Sequence, residues 1–91
     1  MPLYARTFLI TGPEDEVADA RREHRAHLRA LAAAGRLRAA GAFVRGDGYL
    51  EIFEARDLLD AEATARSSPL VELGLGTWML REWEELDLAA D

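Results

Sequence analysis

Large apolar side chains fall on both faces of the predicted strands, and no other feature of this chain constrains its fold as much. Successive side chains of a strand point to opposite faces. In the segment Leu3 to Thr11, Tyr4, Phe8 and Ile10 share one face while Ala5 and Leu9 share the other. Tyr49 and Phe53 oppose Leu50 and Ile52 in the next aromatic segment, and Met79 and Trp83 oppose Trp78 and Leu80 in the last. A sheet made of such strands has to be covered on both sides.

The remaining segments supply too little to do that within one chain. The first strand ends at Gly12-Pro13, and a helix is predicted from about Glu14 to Ala34, stopped by Gly35. Leu37 to Arg45 reads as a second strand, Gly46-Asp47-Gly48 as a tight turn, and Tyr49 to Ala55 as the returning arm of a hairpin. Asp57 is placed to cap a helix over Leu58 to Arg66, which Ser67-Ser68-Pro69 breaks. One helical turn at Leu70 to Leu73 and a fourth strand at Thr77 to Trp83 complete the order β-α-β-β-α-β. That is the ferredoxin-like arrangement of α+β proteins, with a four-stranded antiparallel sheet. Two helices cover one face. The other face predicts a homodimer, because a lone chain would expose an aromatic and aliphatic patch.

Composition narrows the function. The chain of 91 residues reads as one domain over 1–91, with an ordered core at about 3–84 and a fraying tail at 85–91. It contains no Cys, Lys, Asn or Gln, and all eleven basic residues are arginine. Cysteine nucleophiles, Schiff-base lysines and P-loop lysines are thereby excluded. The net charge of −6 argues against nucleic acid as a partner. No apolar stretch reaches membrane-spanning length and no leader pattern is visible, so the expected location is cytoplasmic and no membrane partner is expected. No cofactor motif is present; Gly74-Leu75-Gly76 leads into a strand rather than a helix. The predicted helix carries Arg21, Arg22, Arg25 and Arg29 interleaved with Glu14, Asp15, Glu16, Asp19 and Glu23. That pattern reads either as a solvated face or as an anion-binding patch.

Within that helix Val17, Ala20, Leu28 and Leu31 form one apolar stripe, and His24 lies in it. A buried imidazole needs hydrogen-bond partners, for structure or for chemistry. His27, three residues on, forms with His24 too weak a ligand set to predict a metal. Arg6 interrupts the apolar face of the first strand, as a clamp for a ligand carboxylate or as an ion pair at the sheet edge or across a dimer.

The pattern Arg21-x-x-His24-x-x-His27-Leu28-x-x-Leu31, then Gly35-Arg36-Leu37, Ala40-Gly41, Asp47-Gly48, Glu54-Ala55-Arg56-Asp57, Ser68-Pro69-Leu70 and Gly74-Leu75, resembles the YCII-related (YciI-like) family from about Leu3 to Trp83. The resemblance implies a dimeric α+β barrel, in which two ferredoxin-like sheets pack face to face. It also implies a small-molecule enzyme of unassigned reaction, with a site built on a histidine and an aspartate. The family histidine falls on His24 and the family aspartate on Ser68, so the pair is broken here. Glu23, Asp47 and Glu51 are the acids available as substitutes. The expected function is His-based acid/base chemistry, without a cofactor, in a pocket between helices and sheet. His24 and Ser68 are the candidate catalytic residues, and Tyr4, Arg6, His27 and Trp78 the candidate ligand contacts. The alternative is a non-catalytic dimeric ligand-binding or accessory protein.

Overall fold

The structure, a computed structural model, describes residues 1–89; Ala90 and Asp91, the end of the expected tail, lie outside the described residues. Four strands, β1 (Leu3–Ile10), β2 (Leu37–Ala42), β3 (Gly48–Glu54) and β4 (Gly76–Trp83), form one antiparallel sheet in the order β2-β3-β1-β4. The helices α1 (Glu14–Ala33), α2 (Leu58–Arg66) and α3 (Pro69–Glu72) lie on one face of it. The chain therefore has the predicted β-α-β-β-α-β order and ferredoxin-like sheet.

Local chemistry accounts for the boundaries. β1 stops at Ile10 rather than Thr11 because the Thr11 and Gly12 N–H groups both turn to the Leu75 carbonyl. At the end of α1, Gly35 takes the left-handed conformation, and the Arg36 and Gly35 N–H groups close on the Leu31 and Ala32 carbonyls. Asp57 caps α2 by accepting from the Asp60 N–H. The tight turn expected at Gly46-Asp47-Gly48 is instead a five-residue loop, Phe43 to Asp47, and β2 ends at Ala42 rather than Arg45. Gly46 closes that loop onto the Phe43 carbonyl, while the Asp47 carbonyl is taken by the Ile10 N–H. Beyond β4 the described tail has no helix or strand, but Glu85 forms a two-pronged ion pair with Arg38.

Two apolar clusters lie between helices and sheet. Phe8, Val17, Ala20, Tyr49, Leu70 and Leu75 make one; Tyr4, Phe53, Ala55 and Ala61 make the other. Trp78 packs against the first from the same face. The opposite face of the sheet, with Leu9, Leu50, Met79 and Trp83, has no layer over it, and Met79 is 64% exposed.

Cross-strand approach is closest at the glycines that start β3 and β4. A Cβ on Gly76 would stand 2.0 Å from the Leu9 carbonyl oxygen, whereas one on Gly41 would meet nothing within 4 Å. Gly76→Ala should destabilise the chain by about 1–3 kcal/mol in urea melts. Gly41→Ala should change stability by less than about 0.5 kcal/mol.

Candidate active site

The two apolar clusters are joined by a polar one. β1 and β3 pair so that Arg6 stands directly opposite Glu51, both facing the helices. Arg6 Nε donates to Glu51 Oε1 at 2.8 Å, and Arg6 Nη1 donates to the Ala65 carbonyl at 3.0 Å, which ties β1 to the last turn of α2. The second carboxylate oxygen, Glu51 Oε2, lies 2.5 Å from His24 Nε2. On the other side of the ring, His24 Nδ1 is 2.8 Å from Ser68 Oγ. Arg6, Glu51, His24 and Ser68 are exposed by 1%, 2%, 0% and 0%. Among the described residues no buried side-chain nitrogen or oxygen lacks a partner.

Each residue is placed by its element. His24 is the polar member of the stripe through which α1 packs on the sheet, with Val17, Ala20 and Leu31 buried around it. Ser68 precedes Pro69, so it adopts an extended backbone and stands at the N-cap of α3. A serine there usually accepts from the helix's own free N–H groups. This one does not: its hydroxyl points to His24, and the Val71 and Glu72 N–H groups donate to the Ser68 carbonyl instead.

Electrostatics sets the direction of the hydrogen bonds. Burial pushes the Glu51 carboxyl up, but the His24 hydrogen bond and the Arg6 charge outweigh it and hold it below the usual carboxylate range. Glu51 is thus ionised near neutral pH and only accepts. His24 Nε2 must donate to it, which leaves the lone pair of a neutral ring on Nδ1 facing the Ser68 hydroxyl. The result is a serine O–H aimed at an imidazole that is oriented by a carboxylate, itself fixed by an arginine. Such an arrangement has the parts needed to take up and return a proton.

The other expected residues are distributed unevenly. His27 is half-buried and stacks on His24 with ring centroids 5.9 Å apart; burial, then the nearby His24 and Arg6, holds its pKa below the ordinary value. Tyr4 lies outside the network, in the second apolar cluster. Trp78 lies by the first, with the Arg66 guanidinium 5.5 Å over its ring. Arg6 is not at the sheet edge: it sits in an inner strand, paired with a carboxylate of the same chain. Among the described residues, the side chains of Arg6, His24, Glu51 and Ser68 themselves occupy the space between helices and sheet at this point. Of the three substitute acids, Glu51 is the one the fold delivers. Tyr49 was not anticipated as a neighbour of the site; its ring lies 4.8 Å from that of His24. Among the described residues no group of three or more His, Cys, Asp or Glu is placed to hold a metal.

The model of the YCII-related domain matches residues 4–84. The chain belongs to the YCII-related family. No curated protein sequence matches it. Among solved structures it is similar to 5-chloro-2-hydroxyhydroquinone dehydrochlorinase (TftG) from Burkholderia phenoliruptrix AC1100, in complex with 2,5-dihydroxybenzoquinone. That match has a TM-score of 0.77 and 18% identity, over 90% of this chain and 93% of that one. Rv0793 from Mycobacterium tuberculosis is a more distant likeness, with a TM-score of 0.59 and 16% identity over 98% and 99% of the two chains. At these identities the likeness is one of fold alone. In this chain the His24 ring meets a serine on one side and a glutamate from β3 on the other.

The Glu51 shift makes a pH prediction. A carboxylate with a lowered folded pKa adds stability that is complete above its unfolded value, near 4.5, and is lost as pH falls through the folded value. Urea melts of the wild type should therefore weaken steeply below about pH 4.5. Glu51→Gln should be less stable by about 3–5 kcal/mol at pH 7, because it leaves Arg6 buried without its counter-charge, and its acid limb should be shallower.

Proposed function

We propose that this YCII-related protein is a small-molecule enzyme in which His24 carries a proton, with Glu51 in the role of the missing aspartate. The observation that supports it most is the placement of a carboxylate and a hydroxyl on opposite nitrogens of one buried ring. A purely structural histidine needs partners, but it does not need one of them to be an ionised, arginine-paired carboxylate.

Of the two partners, Ser68 is the one that yields to a substrate. Its bond to Nδ1 comes from an uncharged hydroxyl, whereas Glu51 is held by charge-assisted bonds within the sheet. Ser68 also stands at a corner, between α2 and the four-residue α3. Displacing its hydroxyl exposes the basic Nδ1, while Glu51 stabilises the imidazolium formed when that nitrogen takes a proton. This fits proton abstraction from, or return to, a cyclic or carbonyl-bearing compound without a cofactor. The dehydrochlorinase that shares the fold was solved with such a ring compound, 2,5-dihydroxybenzoquinone. The same reading makes the molecule a homodimer, with the bare sheet face around Leu50 and Met79 against its copy, and places it in the cytoplasm.

One observation favours a second reading. His24, Glu51, Arg6 and Ser68 are closed off and fully paired, as in a ligand-binding or accessory protein that keeps the network to fix its fold. Melting of the wild type and of His24→Leu, alone and against a panel of quinones, hydroxyquinones and keto acids, separates the two. The enzyme reading predicts that His24→Leu abolishes turnover of whichever compound the wild type converts, together with the rise in melting temperature that this compound causes. Ligand shifts that survive in His24→Leu, with no turnover by either protein, would establish the accessory reading. For the dimer, sedimentation should give twice the chain mass for the wild type and a monomer for Met79→Glu, which buries a charge in the apolar face.

A further inference from the structure

Helix α1 segregates its charges by edge. Glu16, Asp19 and Glu23 line a cleft on the side of Leu73 and Leu75. On the opposite edge, Arg21 and Arg25 stand one turn apart. Arg21 donates to the Gly46 carbonyl in the β2–β3 loop. Arg25 lies beside a groove of about 170 Å³ between α1 and β2, lined also by Leu28, Ala40, Gly41, Ala42 and Tyr49. No carboxylate lines that groove, and Arg25 makes no ion pair among the described residues. The groove exists because β2 presents alanine and glycine where larger side chains would reach α1.

Tyr49 forms part of the same groove. It is 4% exposed, its hydroxyl has no hydrogen bond to a described residue, and it lines the groove. Every fully covered polar atom nearby has a partner, so this hydroxyl has its small exposed area instead. A hydroxyl with no partner in the fold, on a residue that lines the groove, is free to donate to an acceptor brought by a ligand. Its ring lies against His24 at 4.8 Å, so a ligand bound to it lies beside the site described above.

We propose that the groove between α1 and β2 binds a small organic carboxylate, with Arg25 on its charge, Leu28 and Ala40–Ala42 against its apolar body, and the Tyr49 hydroxyl donating to it. The volume is below the range for drug-sized ligands, which limits the occupant to about ten non-hydrogen atoms. Because the chain is acidic overall, the arginine edge acts locally and its effect is weakened by salt. The binding stands by itself; only the chemistry that follows rests on His24 as the proton carrier.

Benzoate is the probe, with benzyl alcohol as its neutral counterpart, followed by amide chemical shifts of the whole chain. Benzoate in the millimolar range should move the resonances of Leu28, Ala40–Ala42 and Tyr49, and benzyl alcohol should not. Arg25→Gln should weaken binding by about tenfold, and Tyr49→Phe by about threefold with the remaining spectrum unchanged. Ala40→Leu, which fills the groove, should abolish it. His24→Gln should keep benzoate affinity within about twofold, since the anion is held by Arg25 and Tyr49 rather than by the imidazole. Shifts elsewhere, no shifts at all, or equal affinity in Arg25→Gln and Tyr49→Phe would overturn the groove assignment. If benzoate binds as described while the His24 variants leave turnover intact, the groove stands and the proton-carrier reading fails. The reverse pattern separates them the other way.

Discussion

The contact between Arg6 and Glu51 is the interaction on which the rest of the structure depends. It links the two inner strands at their directly paired positions, and both side chains face the helices with almost no water. An arginine or a glutamate alone in that position would cost several kcal/mol; as a pair with further hydrogen bonds they are tolerated. Each spare valence is then used to hold another element. Arg6 reaches the Ala65 carbonyl of α2, and Glu51 reaches His24 of α1, which in turn reaches Ser68 before α3. Removing any member strands the next.

A domain of this size has little core to spare for polar groups. Here the network separates two apolar clusters that would otherwise meet. Well-packed apolar residues in the same volume are often at least as stabilising as a buried ion pair. Keeping the polar set is therefore hard to explain by stability alone. A low-polarity surround strengthens the Glu51–His24 contact and keeps stray water from the ring.

Much of this was legible in the sequence, and what was not has a common cause. Strand alternation and helical periodicity are local signals, so α2 was predicted residue for residue and most other boundaries to within one or two. His24 was legible because it interrupts an apolar stripe, and Ser68 because of its place before Pro69 in the family pattern. Glu51 could be named only as one of three acids. Its position between Tyr49 and Phe53 marks it as inward-facing, and Arg6 between Tyr4 and Phe8 is inward-facing by the same rule. What joins them is the register of β1 against β3, a pairing of residues far apart in the chain. Tyr49 was hidden for the same reason, since its contact with His24 depends on how α1 lies across β3. Tyr4 and Trp78 were expected near the ligand from the strand face alone, but that face runs the length of both clusters.

The most direct test of this account is the tautomer of His24, read from the nitrogen shifts and couplings of its ring at neutral pH in the intact protein. With Glu51 ionised and orienting the ring, the neutral form should carry its proton on Nε2 and leave Nδ1 bare towards Ser68. A proton on Nδ1 in the neutral ring, or a ring exchanging freely between the two forms, would contradict the claim that Glu51 has taken over the acid's role.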